Sequence, residues 1–386
     1  PLYQNLSDPA DLEQAPPPRI DSHTTKRTLR RMAGMDLGRG CPYLCSFCTI
    51  INVQGRRMRQ RPAKVAAEYI RHCASMGVRD FIVSDDNFAR NQNWESILDA
   101  LIQLRQQEGI ELDLFIQVDL RAAMIPNFIK KSVQAGCRRV FLGVESVRDD
   151  NLLEMGKKQN KRAELQEIVL RWKRAGAIVY AGYIIGMPHD TPERVAEDLR
   201  FLKEEVAIDL PEFYILTPLP GSEDHQKLLK SGVAMDADLN RYDTEHPVME
   251  HPNMSRKELQ KLYQDVWRWY FTPEHVVRVL KRAIVSGLDA KEIHKSIMGF
   301  YAAVHFDRVH PLQSGILRRK VRTSRRPGLP IVPFWRFHAA RLWEILSLQV
   351  RLVAYSWRMV RQFKLIQKEV AREGYHDPLI DLEKER

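Results

Sequence analysis

The most constraining feature of this chain is a run of three closely spaced cysteines. Cys41, Cys45 and Cys48 form a C-x3-C-x2-C pattern with an aromatic residue, Phe47, before the last cysteine. Thiolates are the usual ligands of iron–sulfur clusters. A structural zinc site needs four ligands, and no further Cys or His follows closely enough to complete one. The run therefore predicts a 4Fe–4S cluster held by three cysteines with one iron left open, and a zinc site or purely structural cysteines are the alternatives.

The remaining composition is typical of a cytosolic protein. Five cysteines in 386 residues, three of them clustered, do not make a disulfide framework, and we interpret Cys73 and Cys137 as small buried apolar residues. The first 20 residues are polar and proline-rich without an apolar signal segment, and no stretch reaches the roughly 18 apolar residues of a membrane span. We expect a cytoplasmic location. The chain begins without Met inside what we interpret as a linker, as a fragment of a longer protein would.

Strand and helix patterns alternate through the middle of the chain, which predicts parallel βα units. The candidate strands are Arg31–Leu37, Asp80–Ser84, Leu112–Val118, Arg139–Val144, Val179–Ile185 and Glu212–Thr217. The candidate helices between them are Pro62–Met76, Trp94–Glu108, Met124–Ala135, Arg162–Ala175 and Pro192–Glu205.

Polar residues stand at the ends of these strands, which is where barrel enzymes place functional groups. Asp85 and Asp86 follow the second strand, Gln117 lies near the end of the third, and Glu145 and Ser146 end the fourth. Two adjacent carboxylates repel each other unless something binds them, and a Glu at the end of an apolar strand is costly unless it has a partner. A solvated turn at 85–87 and a capping carboxylate at 145 are the alternatives.

Four motifs follow the cysteine run: Asp-Asp-Asn-Phe at 85–88, Phe-Leu-Gly-Val-Glu-Ser at 141–146, Gly-Tyr-Ile-Ile-Gly-Met-Pro at 182–188 and Leu-Thr-Pro-Leu-Pro-Gly at 216–221. Together with the cysteine run they resemble the radical SAM superfamily, and within it the class that carries a cobalamin-binding domain. That class includes hopanoid-lipid methylases, anaerobic porphyrin ring cyclases and natural-product methyltransferases. The resemblance implies an α/β fold, a partial (β/α)6 radical SAM barrel with a C-terminal helical extension.

The resemblance also implies a set of cofactor contacts. Cys41, Cys45 and Cys48 would hold the 4Fe–4S cluster, and S-adenosylmethionine (SAM) would bind the open iron. The strand-end carboxylates would meet the methionine end or the ribose of SAM, and the G-x-I-x-G segment of the fifth strand would flank the adenine. The predicted SAM-site residues are Asp85, Asp86, Gln117, Glu145, Ser146, Gly182, Ile184 and Gly186. No residue is assigned to the substrate.

The resemblance also implies an activity: reductive cleavage of SAM to a 5′-deoxyadenosyl radical that abstracts hydrogen from the substrate, with an electron donor of the flavodoxin or ferredoxin type. The enzyme would be an oxidoreductase or a methyltransferase.

Only 40 residues precede Cys41, and Asp21-Ser22-His23 begins a D-x-H-x-x-G cobalamin motif that has Lys26 at its glycine position. Cobalamin therefore stays open as a cofactor. The alternative function is a non-catalytic iron–sulfur or zinc protein that docks on membranes as an assembly component.

The C-terminal tail is strongly basic. Between residues 318 and 372 it has fourteen Lys and Arg against two Glu, a balance of +12 beside the formal +11 of the whole chain. A helical pattern from near Trp335, with Trp343 and Trp357 among apolar positions, favours the surface of an anionic membrane. Nucleic acid and packing against the barrel are the alternatives, the former disfavoured by the wide apolar face. The tail in turn favours an apolar or lipid-like substrate.

We divide the chain into a linker at 1–30, a radical SAM core at 31–225, a helical accessory region at 226–315 and a basic amphipathic tail at 316–386.

Overall fold

A computed structural model of the chain describes residues 10–21, 32–313, 320–325 and 328–381. Its centre is a six-stranded sheet in the order β1-β4-β5-β6-β7-β8, and every neighbouring pair of strands in it is parallel. A separate antiparallel ribbon pairs β2 with β3. The strands are β1 Met32–Met35, β2 Gly38–Arg39, β3 Arg59–Gln60, β4 Asp80–Val83, β5 Asp113–Val118, β6 Cys137–Glu145, β7 Ile178–Ile185 and β8 Leu210–Ile215.

Helices connect the strands of the sheet, as parallel strands require. Their apolar sides carry buried residues such as Ile97, Phe128 and Trp172, and Phe128 packs edge-on against Trp172. The α-helices of this part are Ile50–Val53, Ala63–Ser75, Trp94–Gln107, Phe128–Gln134, Asp149–Glu154, Arg162–Arg174, Pro192–Phe201, Glu223–Lys230, Arg256–Tyr270 and Pro378–Asp381.

The six predicted strands are confirmed, and with them the α/β class and the partial barrel. The first strand ends at Met35 and not at Leu37, because the Leu37 N–H donates to the Asp85 carboxylate at 2.6 Å and no longer to a neighbouring strand. The predicted helix Met124–Ala135 is shorter, since Asn127 has a φ of 61° and the α-helix begins only at Phe128. Pro192–Glu205 is α-helical to Phe201 and continues as a π-helical turn, Leu202–Val206.

Some predictions fall outside the described residues. These are residues 1–9 and 22–30 of the linker, which include Ser22, His23 and Lys26 of the cobalamin-like segment, Arg31 of the first strand, residues 314–315 of the helical accessory region, and residues 316–319, 326–327 and 382–386 of the basic tail.

The chain divides into two compact units. The first spans Pro1–Tyr270 with Pro378–Arg386 and contains the sheet, and the second spans Phe271–Asp377. The helices of the second unit are Pro273–Val285, Ala290–Tyr301 and the 40-residue helix Phe334–Glu373, with a π-helical turn at Ala302–Asp307. In the part of the chain that the structure describes, no helix has the length and apolar content to cross a bilayer.

Candidate functional site

The three cysteines lie in one loop, residues 40–58, which we call the cysteine loop. It leaves the C-terminal edge of the sheet after β1, and the β2–β3 ribbon closes its base. Inside the loop, the Cys41 N–H donates to the Gly55 carbonyl at 3.3 Å and the Cys48 N–H to the Cys45 carbonyl at 3.1 Å. Gly40 has a φ of +103°, and a Cβ there would lie 2.6 Å from the carbonyl oxygen of Arg57. The turn into Cys41 therefore requires glycine.

The thiols are shielded from water. Cys45 is buried and Cys41 and Cys48 are half-buried, and burial raises the pKa of each, to about 11 for Cys48. The neighbouring thiols raise the pKa of Cys48 further, whereas the Lys157 ammonium lowers the pKa of all three. Thiolates in this loop consequently need positive charge beside them, which a bound cluster or metal supplies.

The donor chemistry fits an iron–sulfur cluster. The loop offers three thiols that influence one another and a buried cation at their side, in a turn that admits no side chain at residue 40. Within the described ranges, no three His, Cys, Asp or Glu side chains form a group suited to a single metal ion.

Glu145 pairs with Lys157 next to the cysteines. The Lys157 Nζ donates to the Glu145 Oε1 at 2.7 Å, with the side chains 9% and 16% exposed. Burial acts to lower the pKa of the Lys157 ammonium, but the charges of Glu145 and Cys45 outweigh it and the pKa is raised. Lysine is therefore charged here. The Gln159 amide adds a weak contact, 3.9 Å from the Cys45 Sγ.

The end of β6 is distorted to bring this pair into place. Glu145 has a φ of +63°, and the register between β6 and β7 shifts between Gly143 and Glu145. The Asn160 amide donates to the carbonyls of Gly143 and Val144 at 2.9 and 2.8 Å. A Cβ on Gly143 would lie 2.7 Å from the Glu145 Oε1, so glycine leaves room for the pair. Such a left-handed residue is strained, and strain of this kind clusters at functional sites.

The two aspartates after β4 support the cysteine loop. The Asp85 Oδ1 accepts the N–H of Leu37 at 2.6 Å, and the Asp86 Oδ2 accepts the N–H of Gly40 at 2.8 Å. Asp85 is 1% exposed, and burial raises its pKa to about 7, while Asp86 is half-buried and its pKa is raised for the same reason. The closed position of Asp85 disfavours its predicted contact with SAM and gives it a positioning role.

Asp119, Asn87 and Arg90 form a polar cluster beside Cys41. Asp119 accepts from the Asn87 amide at 2.8 Å and from the Nε and Nη2 of Arg90 at 2.7 and 2.8 Å. Arg90 lies 5.4 Å from the ring centroid of Tyr43 in the cysteine loop. The Asn87 amide also bonds the Cys41 thiol and acts to lower its pKa. Gln117, which precedes this cluster on β5, is exposed.

The G-x-I-x-G segment packs closely against neighbouring side chains. A Cβ on Gly182 would lie 2.8 Å from the Phe141 ring, and Ile184 packs with Met155 and Met187 against Phe47 of the cysteine loop. Gly186 has a φ of +83°. The segment and the cysteine loop thus share one apolar cluster.

Asp190 fixes the turn that follows this segment. Its Oδ2 accepts the N–H groups of Gly186 and Met187 at 2.9 and 3.0 Å, and its Oδ1 accepts from the Asn151 amide at 2.7 Å. Burial raises the pKa of Asp190 to about 6. Asp190 holds backbone at this position. Ser146 has a comparable local role, because its Oγ accepts the N–H of Arg148 at 3.1 Å.

Sequence reasoning missed Lys157 and Asn160. Both lie in a polar run after the helix Asp149–Glu154 that carries no recognisable pattern. His251 is buried, accepts the N–H of Asn253 on Nδ1 and donates from Nε2 to the Met187 carbonyl at 2.8 Å. Only its place beside two prolines of a loop is visible in sequence, and that gives no signal of burial.

Comparisons with known proteins agree on one family. Residues 35–202 match the sequence model of the radical SAM superfamily. The chain is 27% identical over 246 residues to bacteriochlorophyllide d C-8(2)-methyltransferase of Chlorobaculum tepidum, covering 60% of this chain and 53% of that protein. It is 29% identical over 197 residues to hopanoid C-2 methylase of Rhodopseudomonas palustris, covering 50% of this chain and 37% of that protein.

Among solved structures, the chain resembles the cobalamin-dependent S-adenosylmethionine radical enzyme OxsB, determined with aqua-cobalamin and S-adenosylmethionine bound. The TM-score is 0.54 at 13% identity, with 97% of this chain and 60% of that chain covered, so the likeness is one of fold. The chain spans about half, or less, of the length of the two methylases above.

Proposed function

We propose that this chain binds a 4Fe–4S cluster and SAM and acts as a radical SAM enzyme on an apolar or lipid-like substrate. The match of residues 35–202 to the radical SAM superfamily supports this proposal. Cys41, Cys45 and Cys48 would hold the cluster. When bound, the cluster and SAM supply reductive cleavage of the carbon–sulfur bond and a 5′-deoxyadenosyl radical that abstracts hydrogen from the substrate.

The observation that carries the proposal is the shielded three-thiol loop at the C-terminal edge of a parallel sheet, with Lys157 beside it. Burial limits the access of water to the thiols, and the Lys157 ammonium favours their thiolate form. Asp85 and Asp86 hold the backbone that leads into Cys41, and Asp190 holds the turn after the G-x-I-x-G segment. Glu145, Gln117, Gly182, Ile184 and Gly186 remain the proposed contacts of SAM.

Two observations support the proposed class of substrate and of reaction. Relatives are named for methylation of a bacteriochlorophyllide and of a hopanoid, and others for a magnesium-protoporphyrin cyclase reaction. The basic amphipathic helix of the second unit adds a reason to expect an apolar substrate. We therefore propose methylation or an oxidative modification, with electrons from a donor of the flavodoxin or ferredoxin type. The non-catalytic assembly role is not favoured by these relatives.

Anaerobic reconstitution with iron and sulfide, followed by SAM and a strong reductant, tests the proposal. We expect the intact protein to release 5′-deoxyadenosine and the Cys45→Ala variant to release none, because two thiols cannot retain the cluster. Cys73→Ala is the matched control, since Cys73 is a buried thiol in the helix Ala63–Ser75, away from the loop.

A protein with a full 4Fe–4S spectrum and no 5′-deoxyadenosine, even with substrate-rich extract, would contradict the enzyme. Equal product from Cys45→Ala would contradict the assignment of the cluster to this loop.

A further inference from the structure

One face of the 40-residue helix Phe334–Glu373 is buried against other helices of the second unit. Met359, Phe363, Ile366 and Val370 are buried, and the helix packs on Pro273–Val285 and Ala290–Tyr301 of the same unit. The His294 ring stacks on Phe363 with centroids 4.7 Å apart, and its Nε2 lies 3.1 Å from the Met359 carbonyl. This face belongs to the core of the second unit.

A second apolar face of the same helix is exposed. Its members recur every three, four or seven residues, which places them along one side of an α-helix. We call them the outer stripe: Trp335, Leu342, Leu346, Val350, Val353, Trp357 and Val360. Trp335, Val350 and Val353 are 72%, 70% and 68% exposed. Trp343, beside the stripe, is 73% exposed. A contiguous apolar face of this length on a solvent-exposed helix marks an interaction surface.

Basic residues border the outer stripe along one side and at its C-terminal end. We call them the basic flank: Arg351, Arg358, Arg361, Lys364 and Lys368. Arg351, Arg358 and Arg361 each directly follow a stripe residue and lie about 100° around the helix from it, whereas Lys364 and Lys368 follow Val360 by four and eight residues and continue the line of the stripe. All five side chains belong to exposed residues.

The charge of the flank is not neutralised within the described part of the chain. The acidic residues of the helix are already paired elsewhere: Glu344 with Lys320 and Arg341, Glu369 with Lys281, and Glu373 with Arg372. No acidic partner of the five flank residues is found among the described residues. The face therefore presents an apolar stripe and uncompensated positive charge side by side.

From this arrangement we propose that the outer stripe and basic flank form a docking surface for an anionic lipid bilayer, on which the helix lies parallel to the membrane plane. Anionic headgroups would meet the flank, while the stripe enters the boundary between headgroups and acyl chains, where Trp is favoured. A second copy of the chain would bring two positively charged flanks together, and a nucleic acid would leave the stripe in water. Charge complementarity thus favours the bilayer over both.

The test is co-sedimentation of the full chain with vesicles of equal parts phosphatidylcholine and phosphatidylglycerol, against vesicles of phosphatidylcholine alone. We expect binding to the anionic vesicles that salt weakens in part. Neutralising Arg358, Arg361, Lys364 and Lys368 to Gln should weaken binding by roughly 600-fold, since each basic residue near such a surface contributes roughly fivefold and the four factors multiply. The matched control carries Gln at four exposed basic positions of the first unit, Lys64, Lys130, Arg200 and Lys257, and should bind as the parent does.

A second pair of variants tests the stripe. Trp335→Ser with Trp357→Ser should remove the part of the binding that survives high salt, because that part comes from apolar contact. Trp269→Ser, at an exposed tryptophan of the first unit, is its control. Helix content by circular dichroism should be equal in all variants, which separates lost binding from lost folding.

Three results would overturn the proposal. One is that the parent ignores anionic vesicles. Another is self-association without lipid that the stripe variant abolishes, which would make the surface an interface between copies. The third is tight binding of an oligonucleotide, lost in the flank variant, by a protein that does not bind vesicles. None of these measurements uses the cluster or SAM, so they are independent of the proposed enzyme activity.

Discussion

The pair Lys157–Glu145 offers the sharpest test of how the site is built. Its charged atoms are 2.7 Å apart and both side chains are mostly buried. At an effective dielectric constant of about 20, unit charges at this distance attract by about 6 kcal/mol. Removing one partner of a buried pair leaves an uncompensated charge and costs about 3–5 kcal/mol. We therefore expect Lys157→Met to lower the free energy of unfolding of the first unit by about 3–5 kcal/mol.

The double variant Glu145→Gln with Lys157→Met decides whether the pair is the cause. With both charges gone, neither side chain is left charged and buried, so the loss should be smaller than that of the two single variants added together. We expect a coupling energy of about 2–3 kcal/mol, at the upper end of what contacting residues show. Lys64→Met, in an exposed pair with Glu68, is the control and should leave stability unchanged.

The assay is the urea dependence of labelling of Cys137, followed by mass spectrometry. Cys137 is a fully buried thiol at the start of the strand that ends in Glu145, so its labelling reports opening of that strand. A second readout is SAM affinity, measured on the reconstituted protein. If Glu145 contacts SAM directly, Glu145→Gln should weaken SAM binding and leave the iron content unchanged. Additive losses within about 0.5 kcal/mol would refute the argument from pairing.

Two further predictions concern the support of the cysteine loop. Gly40→Ala should lower the free energy of unfolding by about 1–3 kcal/mol and reduce the iron retained per chain, because Gly40 has a φ of +103° and its new Cβ would contact the Arg57 carbonyl. Gly55→Ala, in the same loop but with nothing within 4 Å of the new Cβ, is the control and should retain more iron. Equal iron in the two variants would contradict the argument from close contact. Because burial raises the pKa of Asp85 to about 7, the folded state holds its proton more tightly than the unfolded state, so wild type should lose stability as pH rises from about 4 to about 7. The loss should reach about 4 kcal/mol, because the Asp85 pKa rises by about three units on folding, and the Asp85→Asn variant should not show it. If the urea midpoints of wild type and variant change in parallel across this pH range, the prediction is wrong.

The positions of the six strands along the chain could be predicted from sequence, because each is an apolar run bounded by turn residues and separated from the next by a helical pattern. The ends of the elements were less predictable. Leu37 reads as a continuation of the first strand, and only the carboxylate of Asp85, 48 residues away, explains why the strand stops two residues earlier. The helix start at Phe128 similarly depends on the left-handed Asn127, whose conformation the sequence leaves open.

For the site, the sequence located the cysteine loop and the polar strand ends but not the partners of these residues. A carboxylate at a strand end can bind a ligand or hold backbone, and the choice depends on which N–H groups the fold brings near. Asp85, Asp86 and Asp190 each accept backbone N–H groups, whereas Glu145 meets an ammonium. Acceptors bonded to backbone N–H groups are committed to the fold, while a side chain held by a single lysine can exchange that partner for another cation. For this reason Glu145 is better suited than Asp85, Asp86 and Asp190 to meet the positively charged end of a ligand. The coupling energy between Glu145 and Lys157 is then the free energy that contacts with such a ligand must replace.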